Sequence, residues 1–419
     1  MSKKILNIVT YDRGGAGFAV KFLNNLLNEY GFESFIIAKE QSKKSNIFNT
    51  FFQKVLNRIS NLILNYEIGK TDPNFCFLSY HQDKEYTSAS NILNKITFIP
   101  DIIIIHWVAD FINFKTINKL EQITKAKIYF AMMDASHLTG GCHYTWNCEG
   151  FKNNCSNCSA ILDQKKKKIA STNLIIKQKN IPKSSQIIAF STPDYNKAIS
   201  SSLFKNKKVH KMFLPLDDKI FLPGDKLKAR KYFNIDPNNK TLLFGSINVE
   251  DKRKGALIFL DSLHIFQKKI EHDKINPKNI TLLVIGRDVP DDFLNFKLNV
   301  KTLGFLSQDE IVKAYQASDF YISSSIEDSG PLMVNQSIMC ATPVVSFNVG
   351  VASDLIFHKN TGYISKYCNV EDLANGMYFM CNLSLNEHSE MVENCIKLRK
   401  KYLLSNSTID KFLNVLSTD

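Results

Sequence analysis

Two stretches of the chain have the residue types and spacing that sugar-phosphate chemistry needs. The first is Ser323-Ser324-Ser325-Ile326-Glu327-Asp328-Ser329-Gly330-Pro331-Leu332, which follows an apolar run and leads into helical spacing through Met339. A strand, an acidic Gly/Ser turn and a helix N-terminus make a place for sugar hydroxyls beside phosphates. The carboxylate accepts from hydroxyls while helix amides face the anion. The second is Asp251-Lys252-Arg253-Lys254-Gly255, just after the apolar run Thr241–Gly245. Arg can bind two phosphate oxygens at once and Lys supplies a point charge, so the pair suits a diphosphate. By composition alone, a plain α/β crossover and an exposed charged loop explain the same residues.

Three other groups are candidates. Gly14-Gly15-Ala16-Gly17 ends the first apolar run. Small residues there let a ligand approach the backbone ahead of a helix N-terminus, although Gly also serves any tight turn and this is no full dinucleotide fingerprint. His106 follows four isoleucines at the C-terminal end of an expected strand, where α/β sheets place ligands. A satisfied core histidine fits equally well. Cys142, Cys148, Cys155 and Cys158 lie within seventeen residues, the last two as Cys-x-x-Cys. Four thiolates suit a structural zinc with no open position, and redox-active or merely buried thiols remain alternatives. The other five cysteines are isolated and read as small apolar residues.

The elements that must position these groups alternate between β-rich and helical runs, the pattern of α/β proteins with parallel sheets. Strands are expected at 5–10, 34–38, 102–107, 127–132 and 186–191, then at 241–245, 281–285, 300–303, 320–323 and 343–346. Helical spacing marks Phe18, Phe22, Leu23 and Leu26, residues 52–63, and Ile311, Ala314 and Tyr315. The series splits into two α/β halves joined between Ser200 and Pro223, around a Lys-rich and Pro-containing stretch. The expected organisation is residues 1–205, carrying a Cys-rich insert at 139–160, then 206–395, then a terminal helical stretch, 396–419.

At 419 residues two domains are the default, and the 44% apolar and 22% charged shares are ordinary for a globular protein. No stretch approaches a membrane span and the N-terminus lacks signal-peptide features, so a cytoplasmic address is expected. The net charge of +13 is compatible with nucleic acid, an anionic membrane surface or an anionic small substrate. No basic stripe interleaved with aromatics supports nucleic acid, which is disfavoured. Peripheral contact with the inner face of a membrane stays open.

At the acidic turn the second half resembles the donor domain of glycosyltransferase family 4, retaining enzymes of the GT-B fold. Its glutamate is matched by Glu327, its Pro-Val-Val strand by Pro343-Val344-Val345, and its diphosphate clamp by Lys254-Gly255 with Arg253 as partner. The first half resembles the same family around Gly14 to Gly17. It is also similar to an exopolysaccharide and O-antigen branch through Leu138-Thr139-Gly140-Gly141-Cys142-His143-Tyr144. Three positions depart: Asn335 stands for the second family Glu, Ala341 for a Gly, and Met133 for a His before Asp134.

The resemblance implies two facing Rossmann-like domains, 1–205 for the acceptor and 206–395 for the nucleotide-sugar donor, with 396–419 returning to the first, and sugar transfer to a glycan or lipid-linked acceptor with retention of configuration. It assigns Glu327, Lys254 and Arg253 to catalysis and Gly15, Gly17, Ser329, Gly330, Pro331, Leu332 and Asn335 to the donor. Acceptor-site candidates are His106, Asp134, His137 and His143. The two cations replace a catalytic metal. A non-catalytic nucleotide-sugar-binding protein is the second hypothesis, motivated by Asn335 and Met133. An epimerase would need a Tyr-x-x-x-Lys pair in a convincing context and a full dinucleotide loop, and neither is found.

Overall fold

The computed structural model describes residues 2–40, 68–78, 81–248, 251–287 and 289–417. The helical spacing at 52–63 lies outside the described residues. Two compact units divide the chain. The first runs to Phe190 and adds Asp194–Met212 and the end of the chain from Phe412; the second comprises Ser191–Pro193 and Phe213–Lys411.

The first unit holds a six-stranded sheet. Its strands are β1 (Lys4–Tyr11), β2 (Glu33–Glu40), β3 (Ile102–Ile105), β4 (Lys127–Met132), β5 (Gln186–Ala189) and β6 (Lys208–Lys211). The order is β2-β1-β3-β4-β5-β6, every pair parallel. All four isoleucines of β3 are buried, as a strand covered on both faces requires. Phe130 on β4 stacks on Phe114 at 5.2 Å and meets Phe204 edge-on at 5.4 Å, tying flanking segments to the sheet.

The second unit repeats the architecture with β7 (Lys240–Asn248), β8 (Ile280–Arg287), β9 (Asn299–Gly304), β10 (Phe320–Ser323), β11 (Val344–Phe347) and β12 (Gly362–Ser365). Its parallel order, β12-β11-β10-β7-β8-β9, is that of a dinucleotide-type doubly wound sheet, with the winding reversing between β7 and β10. Phe244 on β7 stacks on Phe259 at 4.3 Å and on Phe293 at 5.7 Å. Burial of such rings, about 1.5–3 kcal/mol each, fixes the helix Ala256–His272 against the strand that feeds it. At the opposite end of the strands Asp319 is gripped by Arg230 at 2.8 Å and Lys226 at 2.9 Å and accepts the Thr241 N–H at 2.7 Å.

Ten expected strands are present with ends shifted by a few residues. The two extra ones, β6 and β12, are both edge strands and short, at four residues each. β6 reads Lys-Val-His-Lys, and an edge strand of that kind carries charge instead of the apolar run that marks a central strand. The helix Ser405–Ser417 ends against the first unit's own strands, where Tyr129 donates to the Val415 carbonyl at 3.0 Å.

Candidate functional site

In the second unit the residues singled out around Lys254 and Glu327 converge where the winding reverses. The turn Lys252–Lys254 follows β7 and the turn 324–331 follows β10. Asp251 starts the first turn by accepting the Arg253 N–H at 3.1 Å. Gly255 then takes φ +66°, and a Cβ there would stand 2.0 Å from the Ser324 carbonyl oxygen. Only glycine lets the two turns approach this closely. Ser324 donates to the Lys254 carbonyl at 2.8 Å, and the Ile326 N–H reaches the Arg253 carbonyl at 2.7 Å.

Side chains complete the junction. Arg253 pairs with Asp251 and donates to the Glu327 carbonyl at 3.4 Å, so its guanidinium holds the acidic turn. Lys254 pairs with Asp328, and the other oxygen of that carboxylate accepts the Gly330 N–H at 3.2 Å. Burial alone would raise the Asp328 pKa; the Lys254 ammonium and its hydrogen bond outweigh this and hold it below the usual range. Glu327 is half-buried beside the Asp328 pair. Asp328 is the carboxylate that sequence reasoning passed over.

Helix ends sharpen the picture. Elsewhere in this unit Asp225, Ser307, Asn369 and Ser384 cap helices through their side chains. The helices Ala256–His272 and Leu332–Met339 begin at Gly255 and Pro331 with no side-chain cap. Their first amides are thus the natural partners of an anion. Ser329 and Pro331 are buried, Gly330 and Leu332 partly so, and Asn335 lies inside the second of these helices at 3% exposure.

In the first unit Gly15 and Gly17 open the helix Gly14–Glu29, whose N-cap makes no side-chain bond. A Cβ on Gly17 would stand 2.4 Å from the Asp12 backbone, so this glycine serves close packing of helix on loop. The sheet winding reverses here between β1 and β3. The four histidine and aspartate candidates gather at the same end of β3 and β4. His106 holds Asn7 Oδ1 through Nε2 at 3.0 Å, and its buried Nδ1 has no hydrogen-bond partner among the described residues. Burial, helped by the neighbouring His137, pushes its pKa down to about 3. Burial likewise lowers His137 to about 4, against the pull of Asp134.

Asp134 meets His143 Nδ1 at 2.7 Å and accepts the Ser136 N–H at 2.8 Å. Burial works to raise this carboxyl, but the facing His143 ring and these hydrogen bonds dominate and hold it at about 2. Trp107, stacked on Tyr11 at 5.5 Å, donates its indole N–H towards the same ring nitrogen at 2.9 Å, so the carboxylate and the indole both converge on Nδ1. No motif pointed to Trp107, whose place depends on where β3 ends.

The Cys-rich insert follows directly. Gly140 and Gly141 are demanded by packing: a Cβ would stand 2.0 Å from the Ala170 carbonyl and 2.5 Å from the Phe77 ring, respectively. The bridges Phe77↔Cys142 and Thr71↔Ile161 tie the insert to the segment 68–78. All nine cysteines are free thiols. Lys177, buried on the helix Lys168–Asn180, donates to the carbonyls of Ser136 at 2.7 Å and Thr139 at 2.8 Å. Among the described residues no helix is long and apolar enough to cross a membrane.

Known proteins resemble this chain in fold and, over part of it, in sequence. N-acetyl-alpha-D-glucosaminyl L-malate synthase of Bacillus anthracis is 24% identical over 173 residues, 40% of this chain and 42% of that protein. D-inositol 3-phosphate glycosyltransferase of Pseudarthrobacter chlorophenolicus is 26% identical over 165 residues, 37% of each chain. The chain spans about half or less of the length of the curated relatives it matches. The structure of Anabaena Alr3699/HepE in complex with UDP and glucose superposes with a TM-score of 0.64 at 14% identity, covering 100% of both chains. The fold is therefore the two-domain, Rossmann-like GT-B architecture, and residues 228–398, which contain the Lys254–Asp328 junction, match the family model of the glycosyl transferases group 1.

Proposed function

We propose that the protein is a glycosyltransferase that moves a sugar from a nucleoside-diphosphate sugar to a glycan or lipid-linked glycan, with retention of configuration, in the assembly of a surface polysaccharide. The observation that carries this reading is the junction after β7 and β10. Lys254, the Gly255 approach and two uncapped helix N-termini meet there, inside the stretch that matches glycosyl transferases group 1. The names of the relatives, a glucosaminyl malate synthase and an inositol 3-phosphate glycosyltransferase, support sugar transfer, and the UDP and glucose in the Anabaena Alr3699/HepE structure support a nucleotide-sugar donor. The acceptor class and the retention of configuration rest on the resemblance at Leu138–Tyr144 and Glu327.

In this reading Lys254 and the amides that follow Gly255 and Pro331 neutralise the diphosphate as it leaves. Arg253 holds the acidic turn in place through the Glu327 carbonyl. Glu327 binds hydroxyls of the transferred sugar and fixes its anomeric carbon, an orientation effect. The Asp134–His143 pair belongs to the acceptor half.

A panel of UDP-, GDP- and other activated sugars, read first by thermal stabilisation and then by nucleotide release with a lipid-linked acceptor, tests the reading. A stabilising donor that is turned over upholds it. Stabilisation with no nucleotide release under any condition favours the second reading, a non-catalytic nucleotide-sugar-binding protein, for which Asn335 in place of a glutamate speaks. No response to any activated sugar overturns both.

A further inference from the structure

We infer that Cys142, Cys148, Cys155 and Cys158 bind one zinc ion, a structural clamp that holds the loop bearing His143. The four thiols line a single cavity of about 20 Å³, room for one small guest. Cys142 and Cys158 are within side-chain hydrogen-bonding reach of each other. The sulfurs of Cys148 and Cys155 lie 3.5 and 3.6 Å from the point where a Gly150 Cβ would stand. Among the described residues no group of three or more His, Cys, Asp and Glu side chains stands ready-made to hold a metal ion. The sulfurs must therefore close on the cavity for the metal to bind, by rotation of short side chains.

Backbone groups hold two of the sulfurs. N–H groups of Ala160 and Ile161, two and three residues beyond Cys158, bond its sulfur, and Gly140 bonds that of Cys155. Such contacts orient ligand atoms. Cys155 itself takes φ +54°, a left-handed conformation that a cysteine adopts at a cost and that the surrounding contacts maintain. Lys177 adds the complementary charge. Its ammonium is buried at 1% exposure, held by two carbonyls instead of a carboxylate, and interacts with Cys142 and Cys155. A zinc ion with four thiolates carries net charge −2, and a buried cation beside it offsets that charge.

Four sulfur ligands leave no open position, so the metal has no place for water or substrate. Its effect reaches the candidate site through the chain: Cys142 precedes His143, and His143 faces Asp134. Zinc is the metal of choice for a soft, redox-silent, tetrahedral set.

The full-length protein, purified without added metal and passed through a chelator-containing column, should contain one zinc per chain by elemental analysis. An organomercurial should release it in one step, read with a chromogenic chelator. Protein grown with cobalt should show thiolate-to-metal charge transfer and the visible bands of a tetrahedral site. Cys148→Ser and Cys155→Ser should each lower zinc content to about a tenth or less. If these variants do not fold, mercurial release and the cobalt spectrum decide the matter on the wild-type chain. Four free thiols without metal, a Cys142–Cys158 disulfide by mass spectrometry, or iron in place of zinc overturns the inference.

Discussion

The Nδ1 of His143 lies 2.7 Å from the Asp134 carboxylate, and both side chains are nearly withdrawn from solvent. The carboxylate and the Trp107 indole N–H, 2.9 Å from the same nitrogen, together hold the ring in place. Asp134→Asn keeps the shape and removes the charge. We expect it to lower transfer about tenfold to a hundredfold while donor binding, measured by calorimetry, stays unchanged. Equal loss of donor binding would place the pair outside the acceptor half.

Protonation of buried histidines makes a second expectation. His106 and His137 titrate far below an ordinary histidine because they are buried. Below the unfolded pKa the unfolded chain binds protons that the folded chain refuses. Their contribution is therefore intact above about pH 6.5 and lost as pH falls towards about 4, at up to about 1.4 kcal/mol per pH unit for each ring. Asp134, depressed to about 2, adds its own loss only below the usual carboxylate range. Urea unfolding at several pH values should show this slope, and His106→Gln should flatten it.

Gly255 and Gly304 share almost the same φ, +66° and +65°, but differ in surroundings. A Cβ meets the Ser324 carbonyl at 2.0 Å in the first and nothing within 4 Å in the second. Gly304→Ala should cost about 1–2 kcal/mol, the price of the left-handed region alone. Gly255→Ala should cost clearly more and abolish donor binding, since the two turns must part. Equal destabilisation in denaturant titrations would remove close approach as the reason for this glycine.

Glu327 and Asn335 should separate kinetically. Contacts to the transferred sugar control orientation, so Glu327→Ala should reduce turnover about a hundredfold or more. Asn335 is buried in the helix Leu332–Met339, and the resemblance to glycosyltransferase family 4 puts there a second glutamate that contacts the donor ribose. Ribose contacts are similar in ground and transition states, so Asn335→Ala should raise the donor KM with turnover kept. The reverse pattern would exchange the two roles.

Donor binding should survive chelation, because Lys254 and two helix N-termini supply the positive field. Calorimetric titration with and without a strong chelator should agree within about twofold. Loss of binding on chelation, with the circular dichroism spectrum intact, would show that a divalent ion is required.

Central strands were legible because residues buried on both faces leave continuous apolar runs, as in Ile102–Ile105. The edge strands β6 and β12 were not, since four residues at an edge need no such run, whereas the longer edge strands β2 and β9 were. The donor turns were legible as residue types, yet the partner of Lys254 was not: Glu327 and Asp328 are adjacent carboxylates, and only the crossing of the two turns at Gly255 selects Asp328. Lys177 escaped notice for a related reason. It reads as one lysine among many in a basic helix, and burial beside the thiols emerges only when that helix packs on Gly140.

The Asp328 carboxylate holds Lys254 with one oxygen and the Gly330 amide with the other. On the proposed function it is a tethered competitor. A donor diphosphate would have to displace it, which would weaken the binding of substrate and of spent nucleotide alike. After transfer the same tether would favour expulsion of the nucleotide, so a residue that slows capture would also hasten the next cycle.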